Sequence, residues 1–190
     1  MNKVDSFFNS IKGKKVAFLG IGKSNLPLIY KFLNRGIEVY ACDKRDESSI
    51  DENTVTLLKS AGAKLLLGND YLKNLDVDII FRTPGMNYFL PELCDARDNG
   101  IVVTSEMEVF FDLCPCKTIA VTGSDGKTTT TTLIATILKE QGYNVHLGGN
   151  IGTPLLPIIE QVDENDIAVV ELSSFQLISM RKSPDISVVT

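Results

Sequence analysis

Short apolar runs that are typical of β-strands alternate with amphipathic helical patterns along almost the whole chain. The first run, 16–19, is followed by a segment in which one buried helix face is marked by Leu26, Ile29, Tyr30 and Leu33. Strands that alternate with helices in this way form parallel sheets, because a parallel pair needs a crossover connection. The sequence therefore predicts an α/β fold built on parallel sheets.

The predicted strands fall into two groups. The first group is 16–19, 37–42, 64–67, 77–81 and 101–103, and the second is 117–121, 166–171 and 185–190. Between them, Glu106–Leu113 is predicted to be a short helix, and the Cys114-Pro115-Cys116 break after it predicts a domain boundary. We therefore expect domains at 1–115 and 116–190. A sheet that stops at a final apolar strand is incomplete, which predicts that the sequence is a piece of a longer protein.

Net charge and apolar patterning exclude two classes of partner. The 190 residues include 19 basic and 24 acidic side chains, which gives a formal net charge of −5, and the basic residues are scattered singly. A nucleic-acid binder would need a basic stripe to neutralise phosphates. The longest apolar runs fall far short of the roughly 18 consecutive residues of a membrane span, and the N-terminus lacks the apolar region of a secretory signal. We expect a cytoplasmic protein whose partners are small molecules, and the sequence leaves its oligomeric state open.

The cysteines do not have the spacing of a metal site. Cys42, Cys94, Cys114 and Cys116 make no pair of Cys-x-x-Cys elements, and His146 is the sole histidine. A structural zinc ion needs a full set of such ligands. We therefore expect reduced thiols and no zinc centre.

The strongest local signal is the sequence Thr-Gly-Ser-Asp-Gly-Lys-Thr at 122–128, between a predicted strand and a helix with Leu133, Ile134, Ile137 and Leu138 on one face. Glycines let the backbone turn so that successive N–H groups point at phosphate oxygens, and the helix N-terminus adds its dipole. In such loops the lysine reaches the terminal phosphates, and the hydroxyl after it ligates Mg²⁺. The sequence predicts a shortened nucleoside triphosphate loop; a Gly-Lys-Thr turn without a ligand is the alternative.

An acidic residue ends a later strand. The apolar run 166–171 brings Glu171 to the carboxyl edge of its sheet, where phosphates bind in parallel α/β folds. A carboxylate at this edge holds Mg²⁺ directly or through water in phosphate-loop enzymes. An isolated glutamate at a strand end is more often solvated, and Glu171 becomes a candidate ligand because the phosphate loop precedes it.

The first loop, 20–25, has a weaker nucleotide signal. Gly20 and Gly22 fit the dinucleotide fingerprint, but Asn25 stands where the third glycine is expected. Asp43 follows the next strand, about 20 residues on, where an acid that binds ribose would lie. A nucleotide diphosphate on the first sheet is one interpretation, and a tight turn without a ligand is the other.

Three segments together resemble the Mur ligases of peptidoglycan synthesis. They are the loop 122–128, Gly-Gly-Asn-Ile-Gly at 148–152 and Glu-Leu-Ser-Ser-Phe-Gln-Leu at 171–177, and the resemblance extends over nearly the whole chain. It implies a Rossmann-like parallel-sheet domain that binds a UDP-muramoyl substrate, followed by the first part of a P-loop-type ATPase α/β domain. It further implies an ATP-dependent amide ligase that adds D-glutamate to UDP-N-acetylmuramoyl-L-alanine through an acyl phosphate, with ATP and Mg²⁺ as cofactors.

The resemblance also implies roles for individual residues. Catalytic roles fall to Lys127, Asn150 and Glu171, and Mg²⁺ would be held by Thr128 and Glu171. ATP would be bound by Thr122, Gly123, Ser124, Asp125, Gly126, Lys127, Thr128 and Thr129. The UDP substrate would be bound by Gly22, Lys23, Ser24, Asp43, Lys44, Arg45, Thr83, Pro84, Gly85, Asn150 and Ser173. Lys23 and Lys44 depart from the small, apolar or hydroxyl residues expected there.

Other functions stay open on the sequence alone. A stand-alone nucleotide-binding or regulatory module would use the same phosphate loop, although it has no need of the run 173–177. A folylpolyglutamate-type ligase shares the ATP loop but not the first domain, and an NAD-dependent oxidoreductase is disfavoured by Asn25. No base for the attacking amine and no D-glutamate pocket is evident before Thr190, so we expect the chain to bind nucleotides without completing a ligation.

Overall fold

The computed structural model describes residues 2–73 and 75–190. The chain divides into two compact units, with the boundary between Ser105 and Glu106. Each unit is an α/β layer structure around its own parallel sheet. The predicted fold class is therefore confirmed. None of the described helices is long and apolar enough to cross a membrane.

The first unit contains five parallel strands in the order β3-β2-β1-β4-β5. The strands are β1 Lys15–Leu19, β2 Glu38–Asp43, β3 Lys64–Leu67, β4 Ile79–Arg82 and β5 Val102–Ser105. The helices are α1 Lys3–Ser10, α2 Leu26–Asn34, α3 Glu52–Ser60 and α4 Pro91–Asp98, with a 3₁₀ turn at Glu47–Ser49. Strand order reverses between β1 and β4, and ligands bind in the crevice at the carboxyl ends of strands at such a point.

Successive side chains of β1 point to opposite faces of the sheet, and both faces are buried. Phe18 on one face stacks on Phe81, with ring centroids 4.8 Å apart, and Phe32 of α2 meets both rings edge-on. Ala17 and Leu19 point to the opposite face, where α4 contributes Leu93 and Ala96 to the core. Since both faces are covered, the four residues of β1 from Val16 to Leu19 are all apolar and buried, as expected for a central parallel strand.

The second unit contains four parallel strands in the order β7-β8-β6-β9. The strands are β6 Lys117–Thr122, β7 Val145–Gly149, β8 Ile167–Glu171 and β9 Ile186–Val189. The helices are α5 Glu106–Leu113, α6 Lys127–Glu140 and α7 Ser174–Leu177, with a 3₁₀ segment at Leu156–Gln161. The carboxyl ends of β6, β7 and β8 meet at one edge, which brings the loops after them together.

The predicted boundary after residue 115 lies ten residues too late, because α5 belongs to the second unit. Phe110 and Phe111 of α5 are buried, and the helix packs against the 3₁₀ segment Leu156–Gln161. The Cys-Pro-Cys break is thus a turn inside the second unit. A proline in the sequence marks the end of a helix, but it does not show which sheet that helix packs against.

The apolar face that the sequence indicates for α6 is only partly buried. Ile134 and Leu138 pack against the core, but Leu133 and Ile137 are more than half exposed. The buried positions of the helix are instead the small residues Thr131 and Ala135. Small side chains there allow the helix to lie close to the sheet that carries the phosphate loop.

Candidate functional site

The phosphate loop joins β6 to α6 as the sequence predicts. Gly126 is the N-cap of α6 with a φ of 75°, and Gly123 has a φ of 143°, conformations that favour glycine. The Lys127 ammonium lies across the loop, where its Nζ donates to the carbonyl oxygens of Gly123 at 2.8 Å and Ser124 at 3.0 Å. The remaining loop residues, Thr122, Asp125 and Thr129, lie at the strand end, the loop tip and the first turn of α6. The loop is therefore a cradle of backbone turns at a helix N-terminus with one lysine side chain lying across it, which is what phosphate binding requires.

Glu171 lies at the centre of the second unit's site. Its side chain is 1% exposed, and its carboxylate accepts hydrogen bonds from Thr128 Oγ1 at 2.7 Å and Asn150 Nδ2 at 2.8 Å. The backbone N–H of Asn150 also donates to the Glu171 carbonyl oxygen, at 2.8 Å. Residues from three separate segments, predicted to share a site, thus converge on one carboxylate beside the phosphate loop.

These side chains fit a magnesium ion that also binds nucleotide phosphates. Mg²⁺ prefers oxygen ligands, and it is usually held by one or two carboxylates together with phosphate oxygens and water. Within residues 2–73 and 75–190, no group of three or more His, Cys, Asp or Glu side chains forms a self-sufficient metal cage. Glu171 and the Thr128 hydroxyl would therefore hold the ion only as part of a larger set of ligands that includes the nucleotide.

The Gly148-Gly149 pair allows β7 to approach Glu171 closely. A Cβ at Gly149, where φ is 97°, would overlap the Glu171 carbonyl oxygen and lie 2.8 Å from Cγ1 of Val170. A Cβ at Gly148 would lie 2.5 Å from Cγ of Leu155 and 2.6 Å from the Thr153 carbonyl oxygen. The glycines are therefore required by close packing, and that packing delivers Asn150 to the Glu171 carboxylate.

Ser173 has a local structural role. It is the N-cap of α7 in a capping box, where its Oγ accepts from the Gln176 backbone N–H at 3.3 Å and Gln176 Oε1 accepts from the Ser173 N–H at 2.9 Å. Gln176 is 1% exposed. The Ser-Ser-Phe-Gln run thus forms a capped helical turn directly after Glu171, and the predicted contact of Ser173 with substrate stays a prediction.

Sequence reasoning missed Thr190 as a neighbour of the phosphate loop. Its backbone N–H donates to the Thr122 carbonyl oxygen at 2.9 Å, and its hydroxyl donates to the Asp125 carbonyl oxygen. A Cβ added at Gly123 would also overlap Thr190. The signal was available, since β9 is a parallel strand whose carboxyl end lies at the same sheet edge as that of β6.

In the first unit, the loops after β1 and β4 lie side by side at the reversal point of the strand order. The Thr83 N–H donates to the Leu19 carbonyl oxygen at 3.2 Å, and the Thr83 side chain packs against Gly20. The structure therefore brings together two of the segments predicted to bind UDP. The members of these segments are Gly22, Lys23 and Ser24 after β1, and Thr83, Pro84 and Gly85 after β4.

Asp43, at the end of β2, braces the first of these loops. Its buried carboxylate accepts from the Ile21 N–H at 2.8 Å and from the Arg45 guanidinium at 2.8 and 3.0 Å, and the same guanidinium donates to the Ile21 carbonyl oxygen. Burial pushes the pKa of Asp43 up, but these hydrogen bonds outweigh it and hold the pKa below its ordinary value. Asp43 is thus an ionised residue at the crevice whose protein partners shape the loop, while the neighbouring Lys44 is exposed.

Asn25 explains the departure from the glycine fingerprint. Its side chain is 1% exposed, and Nδ2 donates to the carbonyl oxygens of Leu19 at 3.0 Å and Gly20 at 3.1 Å. The amide ties the start of α2 to the end of β1. The turn is therefore closed by a side chain at the position where a third glycine would allow close packing, a structural role that the glycine pattern does not predict.

The chain is similar in sequence to known proteins. Residues 121–190 match the Mur ligase middle domain. The chain is 55% identical over 99% of its length to a UDP-N-acetylmuramoylalanine–D-glutamate ligase from Acetivibrio thermocellus, and 51% identical over its full length to one from Ruminiclostridium cellulolyticum. The chain is therefore similar to Mur ligases along almost its whole length. It spans about 40% of the length of these curated relatives.

Solved Mur ligase structures show weaker likeness. The UDP-N-acetylmuramate-alanine ligase MurC from Thermotoga maritima aligns with 84% of this chain and 37% of its own chain, at 23% identity and a TM-score of 0.46.

Proposed function

We propose that the chain is part of a cytoplasmic, ATP-dependent ligase of peptidoglycan synthesis that joins D-glutamate to UDP-N-acetylmuramoyl-L-alanine. The observation that carries this proposal is the convergence of Thr128 and Asn150 on the buried Glu171 carboxylate beside a phosphate loop. The chain is also 55% identical in sequence to a UDP-N-acetylmuramoylalanine–D-glutamate ligase, which supports the same choice of substrates.

The second unit would bind ATP. The backbone amides of 122–128 and the Lys127 ammonium would hold the phosphates, with Thr129 beside them in the first turn of α6. Thr128 and Glu171 would hold Mg²⁺, which when bound neutralises charge on the phosphate oxygens. Asn150, fixed by Glu171, would contact the muramoyl substrate. Positioning and charge neutralisation are the main contributions that phosphoryl transfer needs from a protein.

The first unit would bind the UDP moiety. The crevice between the ends of β1 and β4 is the expected ligand position in an open parallel sheet, and the loops that flank it contain the residues assigned to UDP. Two features favour a diphosphate there: the backbone turn at Gly20–Gly22 and the N-terminus of α2 directly after it. Lys23 and Lys44 are exposed at this edge, where they add positive charge.

The proposed reaction has two steps, phosphorylation of the L-alanyl carboxylate and attack by the D-glutamate amine. The L-alanyl carboxylate attacks the terminal phosphorus of ATP, the bond to the bridging oxygen breaks, and ADP leaves with the formation of an acyl phosphate. The amine of D-glutamate then attacks the acyl carbon, loses a proton, and expels inorganic phosphate to leave the amide. We expect the chain to bind both nucleotides without completing a ligation.

Calorimetric titration of the chain tests this proposal. We expect saturable binding of UDP-N-acetylmuramoyl-L-alanine and of ATP with Mg²⁺, and no binding of NAD. Lys127→Ala should weaken ATP binding by about 10- to 100-fold, the value of a hydrogen bond to a charged group, and leave UDP-sugar binding unchanged. The matched control is Lys139→Ala, which removes an exposed lysine from the last turn of the same helix.

Three outcomes would count against the proposal. Binding of NAD in place of the UDP-sugar would indicate that the first unit is a dinucleotide-binding domain. Loss of UDP-sugar binding in Lys127→Ala would contradict the proposal that the UDP-sugar and ATP bind at two independent sites. Unchanged ATP affinity in the same variant would remove Lys127 from the phosphate site.

A further inference from the structure

Glu106 is a buried carboxylate that no step of the proposed reaction uses. It is the first residue of α5 and is 5% exposed. Its Oε1 accepts two backbone hydrogen bonds, from the N–H of Leu155 at 2.8 Å and of Leu156 at 2.7 Å. Burial raises the pKa of Glu106 to about 7. A buried ionisable group is costly, so its place here needs a reason.

The segment 150–155, here named the Asn150 loop, leads directly into the 3₁₀ segment Leu156–Gln161. The two N–H groups that donate to Glu106 belong to Leu155, the last residue of the loop and the N-cap of that segment, and to Leu156, its first residue. Donors at the start of a helix have no partner within the helix itself. Leu155 and Leu156 are fully buried, which leaves these donors no access to water. Without the carboxylate, the end of the loop would carry two unpaired buried donors.

The other end of the Asn150 loop is held by a second carboxylate. There Glu171 accepts from Asn150 Nδ2, and its carbonyl oxygen accepts from the Asn150 N–H. Between these ends the loop folds back on β7: Thr153 bridges to Gly148, and the Leu155 side chain lies against the Gly148 Cα. The loop is thus short, closely packed and fixed at both ends.

We infer that Glu106 is a positioning residue that anchors the Asn150 loop and so keeps Asn150 against the Glu171 carboxylate at the proposed magnesium and phosphate site. This inference rests on the proposed function for the role of that site, but the anchoring itself is a property of the second unit. A group that orients a metal ligand through an intermediate contact typically affects metal affinity by about 10- to 100-fold.

Amide hydrogen exchange on the chain without ligands tests the anchoring. Glu106→Leu removes the acceptor and should speed exchange at the Leu155 and Leu156 amides by about tenfold or more, the effect of losing a hydrogen bond to a charged group. Glu106→Gln retains an acceptor oxygen and should stay within about threefold of the wild type. Asp112→Leu changes an exposed acid on the same helix and should have no effect on these amides.

Nucleotide titration of the same variants tests the role in the site. For Glu106→Leu we expect ATP affinity with Mg²⁺ to fall by about tenfold, while ATP affinity in EDTA changes by less than about twofold. Glu106→Gln should restore the Mg²⁺-dependent affinity. A residue that only stabilised the fold would lower both affinities together and would speed exchange equally at the core amides of β8.

The outcomes separate this inference from the proposed function. Unchanged exchange at Leu155 and Leu156 in Glu106→Leu would overturn the anchoring. Faster exchange there with unchanged Mg²⁺-dependent affinity would overturn the positioning role. If the wild-type chain bound no ATP, the proposed function would fail, and the exchange result would still decide whether Glu106 holds the loop.

Discussion

Replacing Gly149 by alanine should destabilise the second unit far more than the same change at another glycine of similar backbone conformation. Gly149 and Gly142 have φ values of 97° and 87°, so both alanine variants bear the cost of a left-handed backbone, about 1–2 kcal/mol. They differ in their surroundings. A Cβ at Gly142 meets nothing within 4 Å, whereas one at Gly149 overlaps the Glu171 carbonyl oxygen and lies 3.1 Å from the carbonyl carbon.

The added Cβ of β7 would overlap a backbone oxygen of β8, so no rotation of a side chain can relieve the clash. Forcing an extra methyl into packed structure costs about 1–3 kcal/mol and occasionally more. We therefore expect Gly149→Ala to lose about 2–5 kcal/mol in the free energy of unfolding of this unit, against about 1–2 kcal/mol for Gly142→Ala. The additional loss should come with a weaker contact between Asn150 and Glu171, because β7 must move away from β8.

The assay is hydrogen exchange at the β8 amides in low concentrations of urea, since these report unfolding of the second unit alone. A single denaturation curve would combine the two units and would not give a defined free energy. If the two variants differed by less than about 0.5 kcal/mol, close to the additivity error of such measurements, the steric explanation of the glycine pair would be refuted. Failure of Gly149→Ala to fold while Gly142→Ala folds would be the extreme form of the expected result.

Three further predictions follow from buried polar groups. Hydrogen bonds from the Asp163 N–H and then from His146 lower the pKa of Asp166. The ionised carboxylate therefore stabilises the fold fully above about pH 4, and this contribution is lost as the pH falls below that value. Asp166→Asn should flatten the acid side of a curve of stability against pH. The pKa of Glu106 is raised by burial to about 7, so stability should fall as the pH rises from about 4.3 through 7, and Glu106→Gln should remove that slope without altering the acid side. Asn25→Ala should cost the first unit about 1–3 kcal/mol by exchange at its β1 amides, whereas Asn34→Ala, at an exposed position, should cost less than about 0.5 kcal/mol.

Local patterns in the sequence were sufficient for the alternation of strands and helices and for the phosphate loop, although they did not predict the strand β7. A strand, a glycine-rich turn and a helix N-terminus are adjacent in the chain, so their chemistry can be deduced from a dozen consecutive residues. The same holds for Glu171, because the end of an apolar strand in a parallel α/β protein has a known position at the sheet edge. The function class was accessible for the same reason: its residues lie on loops at strand ends.

Tertiary structure alone decided which elements and side chains meet. Periodicity identifies an apolar helix face but not the element that covers it, so α5 was assigned to the wrong unit. Asp43 meets the Ile21 N–H across 22 positions in the sequence, and Glu106 meets Leu155 across 49. Such pairings depend on how the whole sheet and its loops assemble, and no local window of the chain contains both partners.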